Sequence, residues 1–410
     1  MGYFEYSIYA TLEGYRLIDL DLLLTKIKES GGECVIYAEE VEKYSLVWRG
    51  QLIPSYQTNT EYFVKVVKWG GSVELTFNEG VNVHNILDEI EKRYSPDPYA
   101  EVVKPDPLDK IDLRDPKLDD VVKAGTELGI EMGLTDPTGN MTGEVEVGRK
   151  RRVVKSTNDK EVSEVITVVK LRKWGWNNYG GVEEASSTRL DDPSLGRVID
   201  FTPYRGGGSE RVSGERLVEF GPKAASQIVK RIILPLTYPE LWDSNSHIVL
   251  NQSMELYDQP RDPFSPHSRS FDDEGLRTST SLLTKDGELR PVTNARWSKR
   301  LGLLNTKSAT WIDSRLTARP TNVEIRGDKA EMEGDIFVEE VEDITDYTLS
   351  DIVLISVVRA YLKSEGKTLK PTIIRLSLKD FLQNMKLGTK APQRYGNIKT
   401  PSLISRATLL

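Results

Sequence analysis

One cysteine, Cys34, and three histidines, His84, His247 and His267, are all that 410 residues offer of two side-chain types on which metal centres and nucleophilic triads depend. A lone thiol excludes an internal disulfide and any site built on two thiolates, and it gives no support for an oxidising compartment. The histidines lie too far apart in sequence to share a helical turn, so no His-Glu-x-x-His pair can form. An excess of positive charge is also lacking. The net charge of -8 argues against direct nucleic-acid binding, which needs Lys and Arg to displace counterions. No run approaches the roughly 20 apolar residues that span a bilayer, and the longest, such as Ile352–Val358, are strand-sized. Gly2–Tyr9 has neither the basic start nor the following apolar run of a signal peptide. These absences lead to the expectation of a soluble, cytoplasmic protein with no membrane partner.

The chain exceeds the size at which a single hydrophobic core stops growing, so more than one domain is expected. Leu17, Leu20, Leu24 and Ile27 recur at helical spacing before a Gly31-Gly32 stop. Val35–Ala38, Tyr44–Trp48, Tyr62–Val67 and Val73–Phe77 read as strands, and Ile86, Leu87 and Ile90 as a second helix. Residues 97–115 are rich in proline and aspartate and read as a surface linker. A helix over Leu118–Met132 follows. Two alternating stretches, Thr142–Lys155 and Glu161–Lys173, flank the turn chemistry of Ser156-Thr157-Asn158-Asp159, which predicts a β-hairpin. Beyond Gly206-Gly207-Gly208 a helix over Ala224–Leu234 leads into many short strands. The expected divisions are 1–100, 115–202 and 212–410.

Several constellations invite a chemical reading. The glycine run at Gly206–Gly208 is followed by Ser209-Glu210 rather than the Lys-Ser/Thr of a phosphate loop, so a linker is expected. Arg149-Lys150-Arg151-Arg152 would be split between the two faces of a strand. Asp272-Asp273-Glu274-Gly275 could bind a hard cation or share a proton, but Glu-Gly reads as a turn and a structural role is expected. His247, His267 and Cys34 lack the surroundings of a catalytic triad, and no Gly-x-Ser-x-Gly elbow exists.

The order of motifs in the second half resembles the TldD/PmbA protease family. Asp272-Asp273-Glu274-Gly275 matches its "DDEG" signature, and Thr293-Asn294-Ala295-Arg296 stands before Gly302. Arg319-Pro320-Thr321-Asn322 resembles an "R-x-x-N" strand, and Gly334-Asp335-Ile336-Phe337 the segment after it. Leu378–Met385, Gly388 and Thr400-Pro401-Ser402-Leu403 complete the series. The resemblance implies an α+β fold, with a mixed α/β N-terminal domain, a hairpin-rich middle and a β-rich C-terminal domain. Proteolytic members carry His-Glu-x-x-x-His on a helix after Gly-Pro, with a cysteine near the C-terminus. The corresponding stretch here begins at Gly221-Pro222 and puts Lys230, Arg231 and Pro235 at the first histidine, the glutamate and the second histidine. A protonated lysine or arginine cannot ligate zinc, and proline has no side-chain ligand.

What the resemblance implies is a non-catalytic subunit like TldE/PmbA, with no cofactor of its own. Zinc is expected only in a TldD-like partner subunit with which it forms a chamber for extended peptides. Asp272, Asp273, Glu274, Gly275, Arg319 and Asn322 are the candidate channel or motif residues. Three alternatives stand beside this reading: a homodimeric peptide-binding protein without protease, a hydrolase with an unrelated site, and the family's historical role as a modulator of DNA gyrase. The segment between Val323 and Gly334 is shorter than the family's, which bears on the channel or the pairing surface.

Overall fold

A period-two pattern along the first long strand organises the N-terminal half. The computed structural model describes residues 18–48, 51–107, 111–133, 140–158, 160–176, 179–205, 207–242, 249–347 and 351–410. Strand β1 spans Glu33–Trp48. Its even-numbered residues Cys34, Ile36, Ala38, Tyr44 and Leu46 bury against helices, whereas Val35 and Tyr37 bury on the opposite face. With β2 (Leu52–Lys68), β3 (Gly71–Asn78), β4 (Ser95–Pro96), β5 (Met141–Ser156), β6 (Lys160–Gly175) and β7 (Val182–Ser187) it forms a seven-stranded antiparallel sheet in the order β4-β3-β2-β1-β5-β6-β7. Helices α1 (Leu20–Glu29) and α2 (Val83–Arg93) cover one end of the helical face. Helices α3 (Val121–Glu131) and α4 (Pro193–Ile199) cover the other, capped by the side chains of Asp120 and Asp192.

The sequence pattern suggests two strands over residues 35–48, but the chain runs through the polar middle as one. Pairing with β5 explains this: Glu39, Glu40 and Glu42 lie opposite Arg152, Arg151 and Arg149. Arg149 pairs with Glu42 at 2.8 Å and Arg151 with Glu40 at 3.3 Å, while Lys150 and Arg152 both reach Glu39, at 3.2 and 3.4 Å. Cross-strand ion pairs thus take the place of apolar alternation, and the basic run is matched along its whole length by acids. The hairpin over Ser156–Lys160 forms with Ser156 paired to Lys160.

The β1–β5 pairing joins the chain on either side of the proline- and aspartate-rich stretch. That stretch does not run over the surface as a loose linker. Leu113 is 1% exposed, and Asp115 is buried, its carboxylate accepting from the Leu190 and Lys117 N–H groups at 3.0 Å. Asp106 N–H donates to the Gly275 carbonyl at 3.0 Å. The segment is a strap that lies against the second half.

That half contains β8 (Gly214–Phe220), α5 (Pro222–Ile228), β9 (Met254–Asp258), α6 (Ala295–Leu301), β10 (Val323–Gly327), β11 (Ile336–Tyr347), β12 (Ile352–Leu362), β13 (Thr372–Ser377), α7 (Leu378–Asn384), β14 (Ile398–Thr400) and β15 (Leu403–Leu409). Strands β8, β11, β12, β13 and β15 follow one another, and β15 pairs back onto β8, so the sheet closes on itself. A smaller sheet built on β9, β10 and β14 packs beside it around a shared core that includes Phe220, Ile228, Leu256, Ile325, Ile355 and Phe381. Fold class is therefore α+β, with a β-rich C-terminal part. Among the described residues no helix is long and apolar enough to cross a membrane.

Candidate functional site

Asp272-Asp273-Glu274-Gly275 forms a turn closed by Gly275 N–H on the Asp272 carbonyl at 2.8 Å and by Asp272 N–H on the Leu276 carbonyl at 2.9 Å. All three acids are buried. Asp272 accepts from the N–H groups of Glu274 and Leu276 with one oxygen and from Ala309 N–H with the other, at 2.9–3.1 Å. Asp273 pairs with Arg269 at 3.1 Å and accepts from Trp311 N–H at 2.8 Å. Glu274 reaches across to β2, where Lys65 donates to it at 3.2 Å, and its other oxygen accepts from Ala295 N–H at the start of α6. Burial, and after it the Glu274 carboxylate, pushes the Asp272 carboxyl well above the usual range. Gly275 stands at φ +84°, and a Cβ there would lie 2.9 Å from the Pro105 Cβ in the strap. The acids face one another through backbone donors and cations, which makes the turn a clamp between the two halves.

Arg319 and Asn322 lie farther along. Arg319 pairs with Glu240 at 2.9 Å, its guanidinium 4.0 Å above the Tyr238 ring. Asn322 is buried, its amide donating to the Gln259 carbonyl at 3.0 Å and to Ser268 Oγ at 2.8 Å. Asp258 on β9 accepts from the N–H groups of Thr321 and Asn322 at 2.8 and 3.0 Å and so fixes the bend between them.

The helix after Gly221-Pro222 is shorter than its apolar periodicity predicts. α5 ends at Ile228, a π-turn occupies Val229–Ile233, and a 3-10 turn runs over Leu234–Thr237. Pro235 explains the change: it has no N–H for the Arg231 carbonyl and its ring crowds that group. Leu234 N–H instead reaches back to the Val229 carbonyl. The wider turn carries Lys230 and Arg231, both exposed, while Val229, Ile232 and Ile233 stay in the core. Lys230, Arg231 and Pro235 all line one cleft of about 700 Å³, whose other walls include Arg172 and Glu184 from the N-terminal sheet, Glu342 and Asp343 from β11, and Asn397.

Asn397 also borders a second pocket of about 260 Å³ at the junction of the halves. Here Asp273 and Arg319 meet Tyr37, Phe63 and Trp311, with His267 and Arg152 beside them. Loss of solvation, then the charges of Arg152, Lys150, Lys230 and Arg269, hold the His267 imidazole down to about 4, so it is neutral near pH 7. Asn322 borders a third pocket, beside Gln259 and Arg394. Asp272 and Glu274 are enclosed by the clamp. Cys34 is buried, and burial pushes its thiol far up, which leaves it an inert apolar side chain. His247, its neighbours Ser244 and Ser246, and Gly206 lie outside the described residues.

Comparison with known proteins places this arrangement. Residues 218–408 match the model for the PmbA/TldA metallopeptidase C-terminal domain. The C-terminal domain of the chain belongs to the PmbA/TldD family. The whole fold is similar to solved structures of a putative modulator of a DNA gyrase from Thermotoga maritima and of TldE from Thermococcus kodakarensis. Each gives a TM-score of 0.75 at 15% identity and covers 95% of this chain and 99% of its own. A putative modulator of DNA gyrase from Bacteroides thetaiotaomicron gives 0.72 at 15% identity, with 95% and 97% covered. At such identity these likenesses establish the fold. No curated protein matches the sequence. On the α5 side of the cleft stand two cations and a proline, which offer a metal no side-chain ligand at neutral pH. Among the described residues no group of three or more His, Cys, Asp or Glu side chains comes together as ligands.

Two outcomes follow for the buried groups. Gly275→Ala is expected to cost about 1–3 kcal/mol, from a strained φ and the contact with Pro105, as read by urea unfolding. Burial pushes the Asp258 carboxyl up to about 6, whereas an aspartate in the unfolded chain ionises near ~3.9. Between those values the unfolded chain has lost a proton that the folded chain keeps, so stability falls as pH rises through the window. Asp258→Asn removes that slope. The stability of the wild type relative to the variant is expected to drop by about 1.4 kcal/mol per pH unit inside the window, measured by urea titrations at stepped pH.

Proposed function

We propose that this chain is a non-catalytic subunit of the TldE/PmbA kind, which shapes a chamber for extended peptides beside a zinc-bearing TldD-like subunit. The observation that carries the reading is the cleft at the end of α5. It is lined by Lys230, Arg231 and Pro235, which occupy the positions where the resemblance puts ligands and base. A lysine or arginine protonated at neutral pH offers no lone pair to zinc. The fold is similar to that of a solved TldE structure, as this reading requires.

A homodimeric peptide-binding protein is the second reading, and the outer edge of the N-terminal sheet favours it. Strand β3 ends opposite Glu61, so residues 52–60 of β2 pair only with β1 among the described strands. Residues 52–59 are exposed, and no charged side chain lies between Gln51 and Thr60. Edge strands are ordinarily guarded by charges, and an open one accepts a further strand.

Metal analysis and a peptidase assay separate these from an independent hydrolase. The purified chain is expected to hold only substoichiometric zinc and to cleave no unfolded peptide, with or without chelator. Co-expression with a subunit carrying His-Glu-x-x-x-His is expected to give a stable complex with chelator-sensitive peptidase activity. One tightly held zinc per lone chain, or chelator-independent cleavage by it, overturns the proposal.

A further inference from the structure

Most charges around the α5 cleft are already matched. Lys223 pairs with Glu340 at 3.1 Å, and Arg172 with Glu184 at 3.7 Å. Lys230 and Arg231 differ: both are exposed, both line the cleft, and neither makes an ion pair or hydrogen bond among the described residues. The facing wall has the opposite sign. Glu342 and Asp343 are consecutive on β11, where side chains would ordinarily point to opposite faces. Register shifts between Val338 and Asp343 break that alternation, and both acids line the cleft. They are exposed and take part in no ion pair among the described residues. Asp343 accepts from the Thr345 hydroxyl at 3.4 Å, and two cations and two anions therefore share one cleft without an ion pair among the described residues.

This separation selects a ligand. A polyanion such as a nucleic acid would meet Glu342 and Asp343, and a cation would meet Lys230 and Arg231. A molecule with a negative group at one end and a positive group at the other satisfies both walls, and charge-assisted hydrogen bonds at each end are the strong kind. The cleft, about 700 Å³, lies in the range of small-molecule sites. Ser226, Gln227 and Asn397 add amide and hydroxyl groups to the lining, suited to peptide bonds.

We propose that the cleft seats a short peptide with free termini, its carboxylate on Lys230 and Arg231 and its ammonium group on Glu342 and Asp343. The inference rests on the reading of the chain as a peptide-handling subunit and names the ligand of that site: a short peptide product rather than the interior of a long chain.

Calorimetric titration of the purified chain tests it with four probes. These are trialanine, its C-terminal amide, its N-acetyl derivative, and an unstructured peptide of about ten residues blocked at both ends. Trialanine is expected to bind, and blocking either end to weaken binding about tenfold or more. Lys230→Ala with Arg231→Ala is expected to bind trialanine and its amide equally, while still distinguishing the acetyl derivative. Glu342→Gln with Asp343→Asn is expected to reverse that pattern. Exchange of the two cations, Lys230→Arg with Arg231→Lys, is expected to retain the preference for a free carboxylate, a recovery that a merely structural role would not give. Equal binding of blocked and free peptides by the wild type overturns the recognition of ends and leaves the peptide-handling reading in place. Failure to bind any of the four overturns both.

Discussion

The most buried ion pair between the two halves, among the described residues, is Lys65 with Glu274. Each side chain is 1% exposed and they meet at 3.2 Å. Placing two charges out of water is costly, and the geometry has to repay it through further hydrogen bonds. Glu274 supplies them, since its second oxygen is held by the first N–H of α6 and its own N–H by Asp272. Around the pair lie Tyr37, Phe63 and Trp311, whose rings succeed each other at 5.6 and 5.4 Å. The strap at Pro105 and Asp106 closes over Gly275 from outside. Turn and strap come from distant parts of the chain, and the odd-numbered residues Tyr37, Phe63 and Lys65 of β1 and β2 face the C-terminal half beside them.

The cleft depends on this junction. Its walls come from both halves: Arg172, Val182 and Glu184 from the N-terminal sheet, the π-turn and β11 from the C-terminal domain. A shift of one half against the other would move Arg172, Val182 and Glu184 relative to the free charges of the π-turn and β11. The buried acids of the turn and the open charges of the cleft thus have different tasks. The first fix relative position, and the second face what enters.

Sequence pattern reached part of this. Turn chemistry marked the β5–β6 hairpin, and apolar spacing marked α1, α2 and α3, because those signals are local. The order of "DDEG", "R-x-x-N" and the closing segments located the C-terminal domain, though not what the turn does. Its role rests on Lys65, more than two hundred residues earlier; the one sign of it was a lysine inside the apolar run Val64-Lys65-Val66. Continuity of β1 through Glu39–Lys43 was not legible, since polar residues there are tolerated only opposite the arginines of β5. The π-turn was half legible: Pro235 forbids a regular helix, but which bonds replace the lost one depends on packing of Ile232 and Ile233. Glu342 and Asp343 carried no signal, because a register shift in a strand is set by its neighbours.

A double-mutant cycle on the central ion pair tests the account most directly. Lys65→Met and Glu274→Gln are measured singly and together by urea unfolding. Each single change leaves a buried partner uncompensated and is expected to cost about 3–5 kcal/mol, whereas the double variant is expected to cost clearly less than the sum of the two, with a coupling of at least about 2 kcal/mol. Strictly additive effects, or single variants as stable as the wild type, would contradict the claim that this pair joins the halves.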